Sequence, residues 1–217
     1  MTSESQRLRE RGAQHWEAAV THPMVREIGD GTLPHETFRF YFEQNVEYLH
    51  DYARAVALTI AGVTEHAAQA VLTRFLAQIV EVEIPANLDF LETLGGQRVR
   101  PAPLLPTAYA YTRHVLDAAR ADTAVALAAL LPCQWSYGEI GRRLLADGPP
   151  ADPIYARWIG LFAGDGYGEL VGASTDLLDN TCARTDPGRI EAAFDRSTRY
   201  EIAFWEMAYT RGAAEPR

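Results

Sequence analysis

The sequence predicts an all-α protein, a helical bundle, and three observations carry that reading. Apolar residues recur at steps of three and four through long segments, as helices with one buried face require. Strand-like alternation bounded by turns is scarce. Two Asp-Pro pairs, Asp152-Pro153 and Asp186-Pro187, each set a side-chain acceptor at a helix N-cap and a fixed φ at the first helical position.

In chain order the periodicity gives helices near 4–20, 35–62, 66–93, 107–120, 122–147, 153–163, 165–182 and 187–210. Breakers fill the gaps: Gly29-Asp30-Gly31 before Pro34, Gly95-Gly96 followed by the Pro-rich Arg100 to Pro106, and Gly148-Pro149-Pro150. Helix 35–62 carries Phe38, Phe42, Asn45, Leu49 and Tyr52 on one side, flanked by Tyr41 and Tyr48, and helix 107–120 carries Ala108, Tyr111, Val115 and Leu116. The stripe of 122–147 is Ala126, Leu130, Cys133, Tyr137, Ile140 and Leu144, interrupted by Pro132, so a freed carbonyl and a kink are expected beside Cys133. No fixed period recurs and no long linker appears, which reads as one domain over residues 1–217.

Composition removes several functions. All 20 basic residues are Arg, so a Schiff-base lysine, a Walker-type lysine and a Ser-Lys dyad are impossible. A net charge of -9 opposes binding to a phosphate backbone, and no helix-turn-helix with a basic face is visible, so nucleic acid is not an expected partner. The N-terminal residues lack an apolar signal region, and the longest apolar run, Ala124 to Leu131, is too short for a bilayer. A soluble, cytoplasmic protein with no membrane partner is expected. Cys133 and Cys182 lack C-x-x-C spacing, which predicts reduced thiols and no cysteine metal site.

The informative residues are polar ones on apolar stripes. In helix 187–210 the stripe runs Ile190, Phe194, Ser197, Glu201, Phe204, Ala208, so a carboxyl faces inward among aromatics, where its pKa should rise and fit it for proton transfer. A structural Glu bonded to a Tyr is the plainer reading. Asn45 sits within an aromatic face, where its amide suits either a heterocycle's donor–acceptor edge or a helix-to-helix hydrogen bond. Cys133 beside a proline reads as a cavity thiol or as a small core hydrophobe. Tyr137 follows it by one turn, and Tyr111 is a buried phenol in want of a partner. Together Asn45, Tyr48, Tyr111, Cys133, Tyr137 and Glu201 propose an interior pocket for a small, flat molecule.

Five blocks then carry a family resemblance: HPMVREIGDGTLPHETFRFYFEQNVEYL, PTAYAYTRHV, LPCQWSYGEIGRRL, YARWIGLFAGDGYGELV and RYEIAFWEMAY. In this order the chain resembles the TenA (thiaminase II, aminopyrimidine aminohydrolase) family. The resemblance implies a heme-oxygenase-like bundle, usually a homotetramer, that hydrolyses 4-amino-5-aminomethyl-2-methylpyrimidine in thiamin salvage and also cleaves thiamin. It implies no cofactor. By the same resemblance Cys133 is the nucleophile, Glu201 the acid/base and Tyr137 the phenol that orients them, while Tyr48 and Phe204 are aromatic walls and Tyr111 a pocket phenol.

The chain departs from the family pattern twice. Asn45 stands where the family commonly has Asp, which removes a charge-assisted bond to the pyrimidine. Phe162 stands where a Tyr is frequent, which removes a hydroxyl from the same corner. An altered substrate or a binding-only role is the alternative these changes raise. Other rivals are weaker: Glu47-x-x-His50 has di-iron spacing but no second histidine in the later helices, and His15 or His22 as a heme ligand lies in polar surroundings. No metal is expected.

Overall fold

The computed structural model describes residues 2–95, 103–213 and 215. Its elements, in order, are α1 (Glu4–Arg11), α2 (Ala13–Val20), α3 (Pro23–Asp30), α4 (His35–Ala61), α5 (His66–Ala77), a π-helical stretch (Gln78–Glu83), α6 (Ile84–Thr93), α7 (Pro106–Ala121), α8 (Thr123–Asp147), α9 (Pro153–Ala163), α10 (Asp165–Thr181), a short 3-10 turn (Cys182–Arg184) and α11 (Pro187–Tyr209). No strand occurs among the described residues.

The capping logic holds where it was strongest. The side chains of Asp152 and Asp186 accept from the backbone N–H of Ile154 and Gly188, with Pro at the start of each helix. Asp122 does the same for α8, accepting from Ala124 and Val125. Three expectations need correction. Residues 4–20 form two helices, because Gly12 closes α1 and opens α2. Residues 23–30 are helical rather than connecting: Pro23 starts α3, the His22 ring accepts from the Met24 N–H as its N-cap, and Gly31 ends it with a left-handed φ of 69°. The stretch 66–93 is broken by the π-helical turns, where the Ile84 N–H reaches Ile79 O five residues back. Pro85 supplies a cause, since it has no N–H for the carbonyl of Glu81. Of the expected breaker region, Gly96 and Arg100 to Ala102 lie outside the described residues.

At the centre runs α8, which packs against α11, α9, α10 and α7. Its first two turns are apolar all round, and Ala124 through Leu131 are buried on every side, as a helix surrounded by others demands. The α9 backbone comes close to α8 at Gly141, where a Cβ would stand 2.7 Å from Ala163 N and 2.8 Å from the Phe162 carbonyl carbon. No helix among the described residues is long and apolar enough to cross a membrane.

Candidate active site

Cys133 is held by the helix that carries it. Pro132 cannot donate to the carbonyl of Ala128, yet α8 continues unbroken. The next two carbonyls receive side-chain donors instead: Ser197 Oγ to Ala129 O at 2.7 Å and Tyr52 Oη to Leu130 O at 2.6 Å. These bonds tie α11 and α4 to α8 one turn ahead of the thiol, so three helices are indexed to one another there.

From α11, Glu201 enters this region almost fully buried. Tyr111 Oη donates to its Oε1 at 2.6 Å, which satisfies the phenol that the sequence left without a partner. Burial raises the Glu201 carboxyl to about 7, while Tyr111 and the neighbouring Cys133 thiol oppose the rise by stabilising the ionised form. Burial also pushes the Cys133 thiol well up, helped by the charges of Glu201 and Glu83 and resisted by the phenols of Tyr48 and Tyr52. Cys133 nonetheless keeps some accessible surface. The thiol therefore stays neutral until a base takes its proton, and a carboxyl beside it exchanges protons near neutral pH.

The predicted residues divide around Cys133. On the Glu201 side, Tyr48 packs against Tyr111 and Phe204 with ring centroids 5.0 and 5.5 Å apart. On the other side a small cavity of about 10 Å³, room for a single water, is lined by Asn45, Glu83, Cys133, Gln134, Tyr137 and Phe162, among others. Tyr137 and Phe162 meet edge to face at 5.0 Å. The Tyr137 hydroxyl is 2.9 Å from that of Tyr41, so in this structure it is hydrogen-bonded to that phenol, and no hydrogen bond joins it to Cys133 or Glu201. Larger depressions lie elsewhere, among them one around Gly62, Ala68, Asp122 and Thr185, one around Asp51, Arg54 and Arg113, and one around Arg26, Gly29 and Leu144, and none of these contains a thiol beside an acid.

Asn45 has a defined orientation. Asn87 Nδ2 donates to Glu83 O at 2.8 Å, which turns Asn87 Oδ1 toward Asn45 Nδ2 at 2.9 Å. Asn45 thus spends a donor on its neighbour and keeps its carbonyl oxygen as a neutral acceptor. Sequence reasoning missed Glu83, Asn87 and Gln134. The signal for the first two was present: Ile79, Glu83, Asn87 and Phe90 share a buried stripe and put a carboxyl and an amide inward, by the rule that singled out Glu201.

The rival sites fare differently. Glu47 is half-buried and His50 exposed, and no group of three or more His, Cys, Asp or Glu gathers for a metal among the described residues. His22 is buried rather than at the surface: its ring caps α3, and its Nε2 lies 3.3 Å from Glu206. His15 is 3.1 Å from Asp195. The Cys182 thiol donates to Asp179 O at 3.3 Å.

Comparison with known proteins gives the chain its family and fold. A curated aminopyrimidine aminohydrolase of Halalkalibacterium halodurans is 33% identical over 209 residues, covering 93% of this chain and 93% of that protein. A crystal structure from Silicibacter sp., described as a TenA family transcription regulator, superposes with a TM-score of 0.89 at 28% identity, covering 96% of this chain and 97% of that one. A domain of unknown function with a heme oxygenase-like fold from Shewanella denitrificans, 13% identical, superposes with a TM-score of 0.74 over 97% of each chain and shows the fold alone. The TENA/THI-4/PQQC family model matches residues 9–211, from the first helix to just past the last, and the chain belongs to that family.

Proposed function

We propose that this chain is a hydrolase of the thiaminase II type, which releases ammonia from 4-amino-5-aminomethyl-2-methylpyrimidine to give the hydroxymethylpyrimidine. The name of the Halalkalibacterium relative supports the activity, and one observation supports the mechanism: a part-buried thiol beside a fully buried carboxyl that accepts a 2.6 Å hydrogen bond from Tyr111 and that burial raises to about 7. Cys133 adds to the pyrimidine ring as its proton passes to Glu201, and Glu201 delivers a proton to a ring nitrogen, so the ring loses aromaticity. The arm, carried as its ammonium ion, then breaks its carbon–nitrogen bond with the electron pair leaving on neutral ammonia. Water adds to the carbon as its proton passes to Glu201, and sulfur departs, taking that proton from Glu201 while the ring nitrogen gives its own back to the carboxylate, so that the ring and the thiol are restored. Tyr48, Tyr111 and Phe204 form one wall of the site, Phe162 and Tyr137 the other, and Tyr137 acts through its bond to Tyr41.

Purified protein given the aminomethylpyrimidine should release ammonia, and Cys133→Ala should abolish release. A wild type that binds the pyrimidine without releasing ammonia would establish the second reading, a binding-only pocket, which the neutral Asn45 and the missing hydroxyl at Phe162 favour. One domain over residues 1–217, a homotetrameric assembly, a cytoplasmic location and chemistry without a cofactor accompany the proposal.

A further inference from the structure

The cavity beside Cys133 contains two polar groups that the chemistry above leaves unused. Glu83 is 7% exposed, and its Oε1 has no hydrogen-bond partner among the described residues. Gln134 is 2% exposed, and both ends of its amide are likewise unpartnered. Buried polar atoms are nearly always satisfied, so three unpartnered atoms on residues around this void mark a polar subsite, one that must widen beyond its ~10 Å³ to admit a substrate's arm. An acid requires a cation or a donor, and an amide requires an acceptor and a donor side by side.

Building on the aminohydrolase reading, we infer that Glu83 binds the primary ammonium of the substrate's aminomethyl arm, with the Gln134 amide beside it on the heterocycle's edge. The placement fits the order of events. An amine held as its ammonium ion leaves as neutral ammonia when the carbon–nitrogen pair departs with nitrogen, with no further proton needed. Glu83 also supplies a negative charge that Asn45 does not, from the helix that Asn45 contacts through Asn87. Burial holds the Glu83 carboxyl at about 8 against a hydrogen bond with Gln78 that favours its charged form, so it is mostly neutral at pH 7, and an ammonium ion beside its free oxygen would favour ionisation. The residue ends the π-helical stretch, an irregularity that re-aims side chains and recurs at functional sites.

The test compares two ligands in the full-length Cys133→Ala protein, which binds without turnover: the cationic aminomethylpyrimidine and the neutral hydroxymethyl compound, each titrated by calorimetry. Adding Glu83→Gln should cut the preference for the amine over the alcohol by about tenfold, the scale of one charge-assisted bond, while alcohol binding changes little. Glu83→Asp, which keeps the charge, should retain most of the preference, and Glu83→Ala, neutral like the Gln variant, serves if the Gln variant does not fold. An unchanged preference in the soluble neutral variant, or equal loss of both ligands, overturns the assignment of Glu83. Failure of the enzymatic reading looks different: the Cys133-intact protein releases no ammonia although the preference responds to Glu83. A parent protein that binds neither compound overturns both.

Discussion

A thiol kept neutral by burial is a poor nucleophile until its proton is removed, and Glu201 is the acceptor placed to remove it. The pair works with one proton between its two sites, and at low pH it carries two. The rate constant kcat/KM should therefore rise with pH through about 7, the value burial gives Glu201, in a profile that reports the pair as a whole. Glu201→Gln should remove this limb and lower kcat by roughly 10²-fold or more, the usual range for a lost acid–base group. Tyr111→Phe removes the 2.6 Å bond that favours the ionised carboxylate, so its limb should move to higher pH with the fold intact. A limb unmoved in Tyr111→Phe would mean that another group titrates.

At the scale of elements, the cavity wall depends on how closely α9 approaches α8. Gly141 permits that approach, since a Cβ would stand 2.9 Å from Phe162 Cβ and closer still to the α9 backbone. Gly141→Ala should force the helices apart and displace Phe162, at a cost of about 1–3 kcal/mol typical of overpacking. Chemical denaturation would read the loss, and binding of the hydroxymethylpyrimidine should weaken with it. Most elements were legible because their signals are local: Asp-Pro starts, glycine stops and a threefold-to-fourfold apolar period suffice for α4 and for α7 through α11. The π-helical stretch was not, because its cause is a hydrogen-bond register that a periodicity count over 66–93 averages away. Cys133 and Glu201 could be read as inward-facing for the same local reason. That Tyr137 bonds Tyr41 and that Asn45 bonds Asn87 depends on which helices face each other, which no single stripe encodes.

For the whole molecule, two acids inside a protein of net charge -9 make stability depend on pH in a particular window. In the unfolded chain both carboxyls ionise near the ordinary value of 4.5, whereas in the fold Glu201 holds its proton to about 7 and Glu83 to about 8. Between those limits the folded state binds more protons than the unfolded state, so stability falls as pH rises. Below about pH 6.5 the buried His22 and the half-buried His114 act oppositely, because loss of water around them lowers their pKa and folding then releases protons. Above that point the two glutamates are unopposed by histidine. Between pH 6.5 and 8.5 the wild type should lose on the order of 3 kcal/mol, from the proton uptake those two values imply. In a chain of this length that corresponds to a fall in Tm of roughly 10 °C. Glu83→Gln should flatten more of the slope than Glu201→Gln, because the carboxyl titrating at about 8 remains protonated through more of the window. Thermal melts of the three proteins across this pH range decide the matter, and a wild-type slope retained in full by the double variant would place the protons elsewhere.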